Sequence, residues 1–185
     1  MPKLIPIVLA ALLLGACQQM PVTDENSPSM RVQPGSRIIL HEALTVPAGH
    51  ARVFLQGGKV VAKTKLKRYH PHCNFEVRQV SDGSLRIEPD TFLVTDVVTD
   101  EEEWVSREWP LRVAGWEMSG GALDGPMMVT RLVHHRLDSP RQPQVMRLTC
   151  HGGFAEAWKV RYPSVSEIRR SLGQRATLEL AASGG

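Results

Sequence analysis

The residues of this 185-residue chain best suited to chemistry are histidines 70, 72, 134, 135 and 151. Two of them precede a cysteine in His70-Pro71-His72-Cys73, and another follows Cys150. Neutral imidazoles gathered around an open coordination position suit Zn²⁺ or Cu²⁺. A bridge between Cys73 and Cys150 would draw His72 and His151 together, so His70, His72 and His151 form the candidate metal set. Side-chain alternation argues partly against it. In extended chain His70 and His72 share a face while Cys73 turns away, and His134 cannot easily join His135. At most three histidines converge. The favoured alternative is a set of surface or half-buried imidazoles satisfied by backbone carbonyls, which leaves the domain with no cofactor.

A second cluster is cationic: Lys59, Lys63, Lys65, Lys67 and Arg68. In a strand, Lys63, Lys65 and Lys67 would share a face that could meet anionic lipid or a phosphate-bearing glycan. The favoured alternative is an edge strand defended by lysines against pairing with another chain. The acidic run Asp100 to Glu103 lacks the alternating oxygen ligands and central glycine of an EF-hand loop, so a solvated segment is expected there. Trp104, Trp109, Trp116 and Trp158 are assigned to core and rim packing, because few other large aromatics are available.

Enzymatic patterns are missing from the sequence. His41-Glu42-Ala43-Leu44-Thr45 fails the zinc-protease pattern, Gly57-Gly58-Lys59 is not a phosphate loop, and no serine sits in a nucleophile elbow. Cys73 or Cys150 could act as a nucleophile, with His72 or His151 as base, only if unpaired. The precursor's net charge of +3 is too weak a field to argue for nucleic acid.

At the amino terminus Lys3 is followed by a run of apolar or small residues from Leu4 to Ala16, the profile of an export signal and too short for a permanent span. Leu14-Gly15-Ala16-Cys17 resembles the lipobox of bacterial lipoproteins. The resemblance covers only the first seventeen residues. It implies cleavage before Cys17, acyl chains on that cysteine, and stable anchoring once two or more chains are present. Gln18 in the next position, where inner-membrane lipoproteins often carry Asp, implies an outer-membrane anchor facing the periplasm. With Cys17 lipidated, two thiols remain in a compartment where disulfides persist, so a Cys73–Cys150 bridge is expected. It would close a loop of about 78 residues and stabilise the fold by roughly 4 kcal/mol in the chain-entropy model.

The elements that must position these residues are mostly short strands. Residues 1–16 form the cleaved signal. Residues 17–36, punctuated by Pro21, Pro28, Pro34 and Gly35, read as a lipidated flexible tether, and 37–180 as one β-rich domain. Strands are expected at Arg37 to Leu40, Ala51 to Leu55 and Val60 to Val61, the last two joined by a Gly57-Gly58 hairpin. Asn74 to Val80 and Leu85 to Glu88 read as a second hairpin. Thr91 to Val98, Met127 to Leu137, Val145 to Thr149 and Ala176 to Leu180 complete the strands, with 139–143 as a connection. Ser164, Glu167 and Gly173 mark a helix of one to two turns, and Thr99 and Glu102 suggest a second over 99–104. Residues 181–185 should fray. The fold class expected is mainly β, an antiparallel sandwich or partly open barrel with a short C-terminal helix.

The function expected from these readings is that of a non-catalytic, lipid-anchored envelope protein whose β-domain binds another envelope component, protein or glycan. A periplasmic Zn or Cu carrier is the alternative, and a thiol-dependent enzyme a weaker one.

Overall fold

A computed structural model describes residues 24–104 and 128–182. The signal segment, Cys17, Trp109, Trp116 and residues 183–185 lie outside the described residues. The chain is mainly β, a curled antiparallel half-barrel with a short helix near its C-terminus. The strands are β1 (Arg37–Leu40), β2 (Leu44–Val46), β3 (Arg52–Gln56), β4 (Lys59–Val61), β5 (His72–Val77), β6 (Leu85–Ile87), β7 (Asp90–Trp104), β8 (Met128–Asp138), β9 (Val145–His151), β10 (Ala155–Glu156) and β11 (Ala176–Glu179). Helix α1 (Val165–Leu172) lies between β10 and β11. The large sheet runs β11-β1-β7-β8-β9-β5-β3-β4, with β10 added to β8, while β2 and β6 pair separately. Among the described residues no helix is long and apolar enough to cross a membrane.

Alternation builds the core. Leu55 of β3, Cys73 and Phe75 of β5, Leu148 and Cys150 of β9, and Phe92 of β7 turn inward and are fully buried. Phe75 and Phe92 meet at a ring-centroid distance of 6.2 Å. Each such side chain contributes about 1.5–3 kcal/mol of burial free energy. Helix α1 lies against β3, β5 and β11, burying Val165, Ile168 and Leu172 along one stripe. Its start is a capping box: the Glu167 N–H donates to Ser164 Oγ at 3.3 Å, and the Ser164 N–H donates to the Glu167 carboxylate at 3.0 Å. Gly173 ends it with φ 59°, and the helix runs eight residues, slightly longer than expected.

Several expectations are corrected. The second hairpin does not form, because β5 pairs with β3 and β9 whereas β6 pairs with β2. With β3 on one edge and β9 on the other, β5 has no edge left for its sequence neighbour. Residues 99–104, expected as helix, continue β7: Thr99 opposes Val133 and Glu101 opposes Arg131. The ladder with β8 and the Arg131–Glu101 ion pair at 2.9 Å override the local capping signal. Lys63–Lys65 form a 3₁₀ turn, so the three lysines do not share a strand face. Trp158 is 78% exposed rather than packed.

The segment read as tether lies on the domain from residue 24 onward. Val32 is buried, Glu25 pairs with Arg169 at 3.1 Å, and the Ser166 N–H donates to the Glu25 carbonyl at 3.0 Å. Ser36 Oγ likewise accepts the Ala181 N–H at 3.0 Å, holding the first residue of the expected frayed tail.

Cys73 and Cys150 are disulfide-bonded across directly opposed positions of β5 and β9, with Cα atoms 4.0 Å apart and a sequence separation of 77. Replacing Cys73 with Ser should lower the unfolding free energy by about 4 kcal/mol. Urea denaturation of the oxidised protein and the variant checks this, and coincident curves would contradict it. Because both cysteines are fully buried, alkylation without denaturant should leave Cys73 and Cys150 of the oxidised protein unlabelled even with reductant present, as peptide mapping would show.

Candidate functional site

The register that aligns the cysteines aligns the rest of both strands: His72 faces His151, Asn74 faces Thr149, and Glu76 faces Arg147. Opposed residues share a face, so His72, Asn74 and Glu76 line the side of the sheet away from the disulfide. All three are buried. The rings of His72 and His151 stack at 4.4 Å with an interplanar angle of 7°.

This stack brings together two of the three candidate metal ligands. His70 is exposed and contributes its carbonyl, which accepts from His72 Nδ1 at 3.4 Å. Ring-nitrogen lone pairs lie in the ring plane, so two nearly parallel rings do not converge on one ion. Among the described residues no group of three His, Cys, Asp or Glu is disposed to hold a metal. Of the candidate set His70, His72 and His151, only His72 and His151 are brought into contact, through the stack rather than through converging nitrogens.

Around the stack runs a polar row. Glu76 takes Arg147 at 2.8 Å and Arg52 at 3.2 Å. Burial opposes its ionisation, but the two guanidiniums outweigh that and hold its carboxyl below the usual range. Thr149 Oγ1 and His134 Nδ1 share a hydrogen bond of 2.8 Å, and His134 reaches Asp100 at 3.5 Å. Asn74 is fully buried, and neither of its side-chain polar atoms finds a partner among the described residues. On the core face His135 Nδ1 donates to the Leu148 carbonyl at 3.1 Å.

Desolvation keeps these imidazoles neutral. His135 is pushed down to about 4 by burial. His151 falls to about 3 through burial, with the neighbouring His72 and Arg52 adding to it. His72 is lowered by burial, partly offset by its bond to the His70 carbonyl. The unfolded chain binds these protons near the ordinary pKa of about 6.5, so the stabilisation is complete above that pH and fades as pH falls toward the folded values. At about pH 5 His135 and His151 should each cost roughly 2 kcal/mol. Thermal melts near pH 7.5 and pH 5 check this: the acid melt should come lower, with a smaller displacement in His135→Gln. Equal melting temperatures would contradict neutral burial.

At one end of the sheet a cavity of about 240 Å³ opens between the β3–β4 hairpin, the loop before β5 and helix α1. Its walls come from Gln56, Gly57, Lys67, His70, Pro71, Glu167, Arg170 and Ser171. Gln56 holds the loop in place. Its amide donates to the carbonyls of Lys67 and His70 at 3.0 and 3.3 Å, and its oxygen accepts the Lys67 N–H at 3.0 Å. The hairpin tip is tied to the helix by the Gly58 N–H, which donates to the Ser171 carbonyl at 3.0 Å. A Cβ on Gly173 would sit 2.4 Å from Gly58 Cα, and its φ of 59° is already left-handed. Gly173→Ala should therefore cost about 1–3 kcal/mol by urea denaturation. An unchanged midpoint would show that hairpin and helix end can separate freely.

Of the lysines singled out in sequence, only Lys67 lines this cavity; Lys63 and Lys65 do not. Gln56 and Arg170 were read in sequence only as parts of the hairpin turn and the helix end, because their place at the cavity arises only through chain packing. No protein-family model, curated protein or solved structure matches this chain.

Proposed function

We propose that this chain is an exported lipoprotein, cut before Cys17 and anchored by acyl chains on it, whose β-domain binds another component of the cell envelope without catalysing a reaction. The observation that carries the reading is the Cys73–Cys150 bond, placed between central strands with both cysteines fully buried. Such a bond belongs to an oxidising compartment, where export directed by residues 1–16 would deliver the chain. Pairing also removes both thiols from nucleophilic use, which counts against the thiol-enzyme reading. An anchor facing the periplasm from the outer membrane follows from Gln18 and is part of the same proposal.

The test is metabolic labelling with radioactive palmitate in a Gram-negative host expressing the full chain, followed by membrane fractionation. Label should appear in the mature protein, travel with the outer-membrane fraction and vanish in Cys17→Ser. A mature protein that is unlabelled and recovered in the soluble fraction would overturn the anchor, and with it the envelope assignment.

A further inference from the structure

We propose that the cavity between the β3–β4 hairpin, the loop before β5 and α1 binds a phosphate-bearing ligand through Lys67, His70 and Arg170. This rests on the envelope-binding reading and gives that binding a ligand class.

Charge and space carry the assignment. Lys67, His70 and Arg170 are exposed along the cavity wall, and none of their side chains has a hydrogen bond or ion pair among the described residues. The one carboxylate in the wall, Glu167, is already taken. Arg161 reaches its two oxygens at 2.6 and 2.5 Å, and the Ser164 N–H adds a bond of 3.0 Å. Burial opposes ionisation of Glu167, yet these donors hold its carboxyl below the usual range. The Arg161–Glu167 pair cancels, leaving the two unpaired cations Lys67 and Arg170 facing the cavity.

A phosphomonoester carries a charge of about −1.5 to −2 near neutral pH and matches that pair, whereas a single carboxylate leaves a surplus positive charge. Arg170 offers a planar fork suited to two phosphate oxygens, Lys67 a mobile point charge, and the His70 imidazole a further N–H. The surroundings reinforce the sign. No carboxylate occurs in sequence between Glu42 and Glu76, so the hairpin and the loop before β5 bring no acidic side chain to oppose that sign. The cavity measures about 240 Å³. That is room enough for a phosphate or diphosphate group. The walls are held by Gln56 and by the Gly58–Gly173 contact, so little ordering would be needed on binding.

The same chemistry is presented by a soluble or glycan-borne phosphate and by a lipid headgroup. Calorimetric titration of the full chain in a neutral detergent, with inorganic pyrophosphate and separately with water-soluble dihexanoyl phosphatidic acid, tells them apart. One-to-one binding of pyrophosphate, weakened about tenfold or more in Lys67→Met/Arg170→Met, supports a phosphate site open to soluble ligands. Binding of the phosphatidic acid alone, lost in the same variant, supports a headgroup site. Both substituted side chains are exposed, so the variant should melt with the parent protein. Lys63→Met/Lys65→Met should retain affinity. The proposal is overturned if neither probe binds, if the Lys67/Arg170 variant binds as the parent does, or if the Lys63/Lys65 variant loses as much. Failure of the anchor reading would register separately, as missing palmitate beside an intact titration.

Discussion

The bond between Cys73 and Cys150 sets the register on which the middle of this sheet depends. Side chains in a strand alternate with a period of two, so a slip of one residue between β5 and β9 would exchange their inner and outer faces. Covalent closure at one opposed pair removes that freedom. With Cys73 against Cys150, Phe75 and Leu148 turn inward, while His72, Asn74 and Glu76 meet His151, Thr149 and Arg147 on the other side. The β9–β8 register then places Val133 beside Cys150 and His135 beside Leu148. The core cluster and the polar row are thus two consequences of one crosslink.

That arrangement carries an electrostatic cost. Strand β5 is buried on both faces, and its second face presents an imidazole, an amide and a carboxylate in sequence. Glu76 is held by two guanidiniums, which lets it stay ionised at low exposure. Asn74 has no such compensation, and an unpaired buried amide is expensive, on the order of 1–3 kcal/mol. The disulfide offsets costs of this kind by restricting the unfolded chain. A domain of this size with a polar row through its central strands can be stable because the loop between those strands is closed covalently.

Local features of the fold were legible in the sequence, and non-local ones were not. Gly57-Gly58 between two apolar runs marked the β3–β4 hairpin, and both glycines adopt positive φ, 57° and 76°. Ser164 with Glu167 marked the start of α1, and the cysteine pair marked the bridge. Each signal sits within a few residues of what it specifies, or follows from having only two thiols to join. The extension of β7 through Asp100 to Glu103 was hidden, since four polar residues after a threonine carry a capping signal and only β8 makes them a strand. The pairing of β2 with β6 was equally hidden, because three-residue strands have almost no period to read. The full burial of His72, read in sequence as surface or half-buried, was hidden because nothing in β5 itself announces that both of its faces are covered.

The accessibility of the candidate residues was illegible in sequence for a related reason, which is that residue type and accessibility are independent variables. Imidazoles drew attention as ligands, yet at 5% and 7% exposure His72 and His151 present almost no surface to anything arriving from solvent, and their stacked geometry occupies the rings with each other. Their rigidity comes from being in the middle of the sheet, and so does their isolation. The cavity has the opposite character. Its groups come from a hairpin, a loop and a helix end, segments that remain at the surface because connecting backbone cannot satisfy itself inside. A binding site needs both qualities, a fixed frame and an open face. In this fold they meet where the hairpin tip of the sheet touches α1 at Gly58 and Gly173, near enough to the crosslinked strands to be held and far enough out to be reached.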